Sequence, residues 1–298
     1  MRDDERNQVA ILIHLSTNHW YQENRGFDVF PGEALNCRLF TDVYEDLDPG
    51  CCLVAETDDG KIVGSCFYHP RETHVSLGIM NAHPEAAGLG VARQLLSAVI
   101  KKAAGMPVRL VSSAMNLDSY SLYTKAGFTP QAIYQDMQFP TAPDLSSPPS
   151  ASGTVREATL DDAEELANLE LKLTGISRKK DYLYFIKNQR DIWKTLVLEE
   201  AGKITGFLSS VHHPASHMLG PGVCKSWQGA LALIVAHHGD ARESQPVFLV
   251  PTKETGLIDQ LYKLGARNLE LHVSQVYGDC PSQKLGSVIL PTFMPETG

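Results

Sequence analysis

The sequence has no long apolar run and little basic charge, and both shortages limit what the protein can be. No stretch approaches the ~18 apolar residues that a membrane-spanning helix requires. Its 26 Lys and Arg residues are outnumbered by 35 Asp and Glu residues, which leaves a formal net charge of -9. This negative charge opposes broad binding to nucleic acid or anionic lipid. We therefore expect no membrane and no nucleic-acid partner.

Metal-binding and disulfide patterns are missing as well. The 6 cysteines form no CxxC pair and no zinc-ligand spacing. The histidines likewise lack the Cys or carboxylate partners of a recurrent ligand set, so no metal is predicted. The segment 1–8 is charged and is not followed by the apolar region of a signal peptide. Together these features predict reduced thiols in a cytoplasmic protein.

A chain of 298 residues has room for two domains of about 150 residues each. The segment 140–154 is rich in proline and serine and is predicted to be a linker between domains at 1–139 and 155–298. The two parts resemble each other. GKIVGSCF from Gly60 matches GKITGFLS from Gly202, and PVRLV from Pro107 matches PVFLV from Pro246. These paired segments keep one order, which indicates duplication of a single domain.

Within each half the pattern predicts the element order β-β-β-α-β-α-β. A turn at 58–60 joins two short apolar runs and is typical of a hairpin. In the next strand Val75, Leu77 and Ile79 alternate with polar or small residues, which predicts that these three side chains share a core face. A helix between two strands then requires one parallel pair. The expected fold class is α/β of the α+β type, with a mixed, mostly antiparallel sheet flanked by helices.

A glycine-rich loop lies between the third strand and the next helix. Gly88, Gly90 and Ala92 alternate there, so side chains do not screen the backbone N–H groups at the start of the helix. Such a helix start binds phosphate or pyrophosphate, because its N–H groups and dipole favour an anion. The alternative interpretation is a loop that allows tight packing. Neither the P-loop nor the dinucleotide-binding spacing fits these residues.

At this loop the sequence resembles the GNAT acetyltransferase superfamily. The family signature Gln/Arg-x-x-Gly-x-Gly/Ala falls on residues 87–92, after a family-like His83-Pro84-Glu85. A later stretch, from Asn116 through Leu122-Tyr123 to Gly127-Phe128, resembles a second family block. One position departs from the pattern, since Ala87 replaces the usual Gln or Arg.

The resemblance implies transfer of an acetyl group from acetyl-CoA to a primary amine by direct attack on the thioester. Tyr123 would protonate the departing thiolate, and His74 is the candidate base for an amine on a small molecule or peptide. No metal is implied, and a homo-oligomer stays open. By family analogy, the following residues would bind the coenzyme: Met80, Ala82, Ala87, Gly88, Leu89, Gly90, Val91, Ala92, Arg93 and Asn116.

The second half keeps the predicted order of strands and helices but lacks the glycine-rich loop. Where that loop should come the chain reads GPGVCKSWQGALALI, and Thr255 stands at the position of Asn116. We interpret residues 155–298 as a degenerate GNAT-like domain that packs on the first and walls its acceptor pocket. The alternative function is a non-catalytic acyl-CoA-binding regulatory or scaffold protein. Two features favour it: Ala87, and Ser76 where some family members carry an acid.

Overall fold

A computed structural model describes residues 1–141, 143, 153–238, 246–281 and 286–292. Most of the predicted linker, 140–154, lies outside these residues. Among the described residues, no helix has both the length and the apolar character needed to cross a membrane.

The first half begins with two helices and continues with five strands and two further helices. Its elements are α1 (Arg6–Arg25), α2 (Arg38–Leu47), β1 (Cys52–Glu56), β2 (Ile62–Pro70), β3 (Val75–Ala82), α3 (Val91–Lys102), β4 (Val108–Ser113), α4 (Leu117–Lys125) and β5 (Thr129–Gln138). The predicted hairpin joins β1 to β2, which pair antiparallel. The predicted parallel pair is β3 with β4.

The second half repeats this order between two short additional strands. Its elements are β6 (Thr154–Glu157), α5 (Ala163–Thr174), α6 (Lys179–Lys187), β7 (Trp193–Glu200), β8 (Lys203–His213), β9 (Ser216–Cys224), α7 (Trp227–His238), β10 (Val247–Pro251), α8 (Thr255–Lys263), β11 (Arg267–Tyr277) and β12 (Val288–Leu290). The matched segments of the sequence fall on matched strands, β2 with β8 and β4 with β10. The tandem, mixed α/β fold predicted from the sequence is confirmed.

The two halves exchange their last long strands within one continuous sheet. The strand order is β1-β2-β3-β4-β11-β5-β10-β9-β8-β7-β6, and β12 pairs with β9. Strand β11 of the second half therefore lies between β4 and β5 of the first. In return, β5 pairs with β10 of the second half. Strand pairing thus crosses the expected domain boundary, while the limits at 139 and 155 stay a prediction.

Helices cover both faces of this sheet. On one face α1, α2, α5 and α6 pack against a core that the two halves share. On the other face α3 and α4 cover a core of the first half, and α7 and α8 cover one of the second.

A buried ion pair network fixes the two halves together beneath the shared helices. The Arg71 guanidinium contacts the carboxylate of Asp48, at the end of α2, at 3.0 Å, and that of Asp181, in α6, at 2.7 Å. All three side chains are buried. Because breaking such a pair leaves a buried charge uncompensated, the network holds the position of the second half on the first.

Strand β3 contains a bulge that the sequence does not reveal. Cys66 of β2 pairs with Met80, but Tyr68 pairs with Leu77, so β3 carries one extra residue between these two positions. The extra residue reverses the alternation of side chains. Ile79 consequently packs on the shared core, while Val75, Leu77 and Met80 pack with α3. The prediction that Ile79 shares a face with Val75 and Leu77 is wrong for this reason.

Candidate active site

The candidate site begins where β3 and β4 separate. They pair only at Val75–Val108 and Ser76–Arg109. Beyond Ser76, no described strand pairs with the edge of β3 that faces β4. A gap therefore opens between two strands that would otherwise continue side by side, and its β3 edge carries backbone groups without a strand partner.

The hydrogen bonds to β2 show which backbone groups of β3 face this gap. The N–H of His83 donates to the carbonyl of Val63 at 2.8 Å, and the register continues through the pair Ser65–Asn81. Because hydrogen-bonded and non-bonded pairs alternate along an antiparallel ladder, Met80 and Ala82 direct their N–H and C=O groups away from β2. Both residues predicted to contact the coenzyme arm thus present their backbone to the gap.

The glycine-rich loop forms the far end of the gap. Gly88 and Gly90 both have φ +77°, a left-handed conformation that favours glycine, and Gly90 is the N-cap of α3. A Cβ at Gly88 would meet nothing within 4 Å, so the loop is open there. The hydrogen bonds of the described residues include no acceptor for the N–H groups of Val91, Ala92 and Arg93. The start of α3 therefore presents N–H donors without an acceptor, an arrangement that suits an anion.

Positive charge reinforces this site. The Arg93 side chain folds back toward Gly90, because a Cβ built at Gly90 would lie 3.5 Å from its guanidinium. Leu89 is 70 % exposed, and Ala87 is also exposed. Ala87 adds no side-chain donor where the family signature has Gln or Arg. Any anion held here must therefore be bound by backbone N–H groups, the α3 dipole and Arg93.

The second predicted block lies on α4, beside the α3 face of the gap. Asn116 is the N-cap of α4, and its side-chain oxygen accepts from the N–H of Ser119 at 3.0 Å. Tyr123 is 6 % exposed and packs in the core under α3, next to Phe128. Asn116 therefore caps the helix without any ligand, and its role in coenzyme binding stays a prediction.

His74 lies at the other end of β3. It precedes the short stretch in which β3 and β4 are still paired, and its Nε2 contacts the hydroxyl of Ser76 at 3.1 Å. Burial, together with the guanidinium groups of Arg109 and Arg178, holds the pKa of His74 well below its ordinary value. The imidazole is therefore neutral at pH 7 but stands away from the open part of the gap. Its role as base stays a prediction.

The corresponding gap in the second half is filled. Strands β9 and β10 pair only at Met218–Val247 and Leu219–Phe248. Farther along, β12 pairs with Gly222, Val223 and Cys224 of β9. The same three residues pair with β8 on their other edge, so β12 takes the place in which the gap would open. The start of α7 is capped too, since the Ser226 hydroxyl accepts from the N–H of Gly229 at 3.2 Å.

Within the described ranges, no group of three or more His, Cys, Asp or Glu side chains is arranged to hold a metal ion. The backbone of β3 and the start of α3 supply N–H groups at the gap, while Tyr123 lies buried in the core under α3. Asp136 of β5 and His272 of β11 form a buried pair to which no sequence motif pointed. No local signal marks this pair, because the two residues meet only through the exchange of β11.

Comparison with protein families finds a match within the first half. Residues 17–128 match the model of the acetyltransferase (GNAT) family. Over this segment the chain is similar to a GNAT domain. The matched segment runs from α1 to Phe128, and it contains the gap, the glycine-rich loop and Tyr123, so the resemblance inferred from the motifs is confirmed. No curated protein sequence matches the chain.

Several solved structures, described as acetyltransferases or GNAT proteins, have a similar fold. A provisionally assigned acetyltransferase from Pyrococcus horikoshii is 15% identical, with a TM-score of 0.74 over 95% of this chain and 89% of that chain. A GCN5-related N-acetyltransferase from Sphaerobacter thermophilus is 19% identical, with a TM-score of 0.60 over 96% of each chain. A tandem GNAT protein from the clavulanic acid biosynthesis pathway is 14% identical, with a TM-score of 0.57 over 95% of this chain and 97% of that chain. At these identities the likeness concerns the fold.

Proposed function

We propose that the first half transfers an acetyl group from acetyl-CoA to a primary amine, and that the second half binds no acyl donor. The observation that carries this proposal is the open gap between β3 and β4, which ends at an anion site on α3. The filled gap between β9 and β10 supports the assignment to the first half.

The residues at the gap fit the chemical parts of acetyl-CoA. Its pyrophosphate would be held by the N–H groups of residues 88–93 and by the guanidinium of Arg93. Its pantetheine arm, which contains amides, would pair like a strand with the backbone of Met80 and Ala82. The protein therefore offers hydrogen-bond partners to both the pyrophosphate and the pantetheine arm. The alanine at position 87 removes only one side-chain contact to the coenzyme.

The gap can promote acyl transfer in two ways. Bound amine and thioester are held together, so attack on the carbonyl becomes effectively intramolecular. A backbone N–H on the edge of β3 can stabilise the oxyanion that develops on this carbonyl. The Tyr123 hydroxyl would donate a proton to the coenzyme thiolate as the C–S bond breaks.

A second candidate function is a regulatory protein that binds acyl-CoA without turnover. Ala87 favours it, because the family signature has a Gln or Arg side chain there. The two functions share the binding site, so the fold alone does not separate them.

The deciding experiment measures binding and turnover on the same preparation. Titration calorimetry with acetyl-CoA should give saturable binding that desulfo-CoA competes, since both carry the pyrophosphate. Release of free CoA should then depend on an added amine from a panel containing a polyamine, an amino sugar, an arylalkylamine and a lysine ester. Binding without amine-dependent release would establish the regulatory function instead, and absence of binding would contradict both.

A further inference from the structure

The separated ends of β3 and β4 are open to solvent, although helices cover both faces of the sheet. Residues 75–78 of β3 and 108–111 of β4 are buried, whereas the residues that follow in each strand, 79–82 and 112–113, are only half-buried. This change comes just after the point at which the two strands stop pairing. Parallel strands between two helix layers are normally buried on both faces, so the partial exposure marks an entry for solvent at the gap.

Asn81 and Ser113 lie level with each other on the two sides of this opening. Ser76 is the last residue of β3 that pairs with β4, and its partner is Arg109. Asn81 follows Ser76 by five residues, one of which is the extra residue of the bulge, while Ser113 follows Arg109 by four. The parallel register therefore places Asn81 across the gap from Ser113. Each of them borders the gap from its own strand.

Helix α1 passes over the gap at these two positions. The Asn81 side-chain amide donates to the Thr17 hydroxyl at 3.3 Å. One turn farther along α1, the Tyr21 hydroxyl donates to a carboxylate oxygen of Glu270, on β11, at 3.0 Å. The Ser113 hydroxyl donates to the other oxygen of Glu270. Glu270 thus contacts the edge residue of β4, and it lies across the gap from Asn81 beneath adjacent turns of α1.

Asn81 carries a hydrogen-bond acceptor that the protein leaves unused. Its amide nitrogen donates to Thr17, which fixes the orientation of the side chain. Its Oδ1 atom is buried and has no hydrogen-bond partner among the described residues. Because an unpaired buried oxygen costs free energy, native structures usually satisfy it. An N–H or O–H donor of a bound molecule would satisfy it here.

Glu270 supplies an anionic group with room for a further donor. Ser113 and Tyr21 use one lone pair on each carboxylate oxygen, and an ionised carboxylate has about four. The guanidinium of Arg25 lies 3.7 Å from this carboxylate, beyond hydrogen-bond distance, and donates to the Leu269 carbonyl at 3.1 Å. Glu270 is therefore held in place, and no cation among the described residues forms a hydrogen bond to it.

We propose that Asn81 and Glu270 bind the ammonium group of the acceptor, so that the first half acetylates cationic primary amines. This inference rests on the function proposed above, and it deepens it by naming the charge of the substrate and a group that the second half supplies. An alkylammonium has three N–H donors, which suit the Asn81 oxygen and the Glu270 carboxylate. Glu270 reaches the gap only because β11 lies between β4 and β5.

The test measures amine binding without chemistry. The protein is saturated with desulfo-CoA, which carries no acyl group, and is titrated calorimetrically with the panel amine that gives the fastest CoA release. The same titration is repeated with the analogue in which a hydroxyl replaces the primary amine. Glu270→Gln should raise the Kd of the amine roughly 10- to 100-fold, the usual effect of losing a hydrogen bond to a charged group. It should leave the Kd of the uncharged analogue and of acetyl-CoA near their original values.

Glu45→Gln is the matched control for this change. Glu45 is a half-buried carboxylate on α2 that accepts from the N–H of Gly50 at 2.9 Å. The same substitution there removes a charge without touching the gap, so the Kd of the amine should stay unchanged. In turnover, the effect of Glu270→Gln should appear in the KM for the amine, because the lost contact concerns substrate binding.

Two changes at Asn81 separate recognition from structure. Asn81→Leu keeps the approximate size of the side chain but has no acceptor, and it should raise the Kd of the amine about tenfold. Asn81→Asp keeps an acceptor and adds a negative charge, so it should bind the amine at least as tightly as the unmodified protein. A purely structural role of Asn81 would weaken binding in both variants.

Two kinds of result would overturn the inference. If Glu270→Gln weakens the amine and its uncharged analogue equally, or weakens neither, Glu270 does not recognise the charge. If Glu270→Gln does not fold by circular dichroism, equal weakening of amine binding in Asn81→Leu and Asn81→Asp has the same effect. Absence of amine-dependent CoA release in the unmodified protein would instead refute the proposed function itself.

Discussion

The two halves of the chain share an element order, yet in the described residues they differ at the gap where we propose that the acyl donor binds. In the first half β3 and β4 part after Ser76, and the gap ends at an uncapped helix start with two glycines. In the second half β12 fills the equivalent place on β9, and Ser226 caps α7. The comparison teaches that a shared order of elements does not by itself leave a gap open for a ligand. The three-residue strand β12 is enough to fill the gap in the second half.

The largest effect should come from Gly90→Glu. A carboxylate at the start of α3 repels the pyrophosphate, and like-charge contacts cost several kcal/mol, so acetyl-CoA affinity should fall by more than about 100-fold. The matched change Lys225→Glu, at the exposed start of α7, should leave affinity unchanged. Titration calorimetry measures both. A comparable loss in Lys225→Glu would mean that the second half binds the donor.

Tyr123→Phe tests the proposed proton donor. Loss of general-acid catalysis should lower kcat roughly 100-fold, with coenzyme affinity near that of the unmodified protein. Tyr262 stands at the duplicate position, where its exposed hydroxyl donates to the side chain of Gln135 at 3.0 Å. Tyr262→Phe should therefore keep full kcat. An unchanged kcat in Tyr123→Phe would remove Tyr123 from the mechanism.

Leu290→Ala tests the strand that fills the second gap. Leu290 is 1% exposed, and a cavity at such a position destabilises a protein by about 2–5 kcal/mol. We expect this loss in the free energy of unfolding, measured with urea, while calorimetry still finds one acetyl-CoA per chain. A second binding event in the variant would show that β12 blocks a site that is otherwise functional.

The smallest effects should distinguish Gly64 from Gly206, which are duplicate positions on β2 and β8. A Cβ at Gly64 would lie 2.4 Å from Val91 on α3, and one at Gly206 would lie 2.5 Å from Cys224. Both Gly→Ala changes should cost about 1–3 kcal/mol of stability through overpacking. Only Gly64→Ala moves the start of α3, so it alone should weaken acetyl-CoA binding. Equal weakening by Gly206→Ala would contradict this.

Local signals predicted much of the fold and the open helix start after Gly90. The turn at 58–60, the helix after Gly90 and the parallel pair of β3 and β4 are specified by residues close in sequence, so they could be read directly. The bulge near Ile79 and the exchange of β5 with β11 could not. Both depend on which strands pair, and pairing between distant segments leaves no pattern within either strand. For the same reason the buried contact between Asp136 and His272, on the exchanged strands, could not be predicted.

The exchange of β5 and β11 has a consequence for attempts to divide the chain. A fragment that ends near Phe139 would carry β5 but lack its neighbour β11, and β4 would become an unprotected sheet edge. The complementary fragment would expose β10 in the same way. Such edges invite pairing with other molecules, so each fragment is expected to aggregate or to recruit a second copy. The exchanged strands thus make each half part of the other's sheet, and neither half is expected to fold as a separate unit.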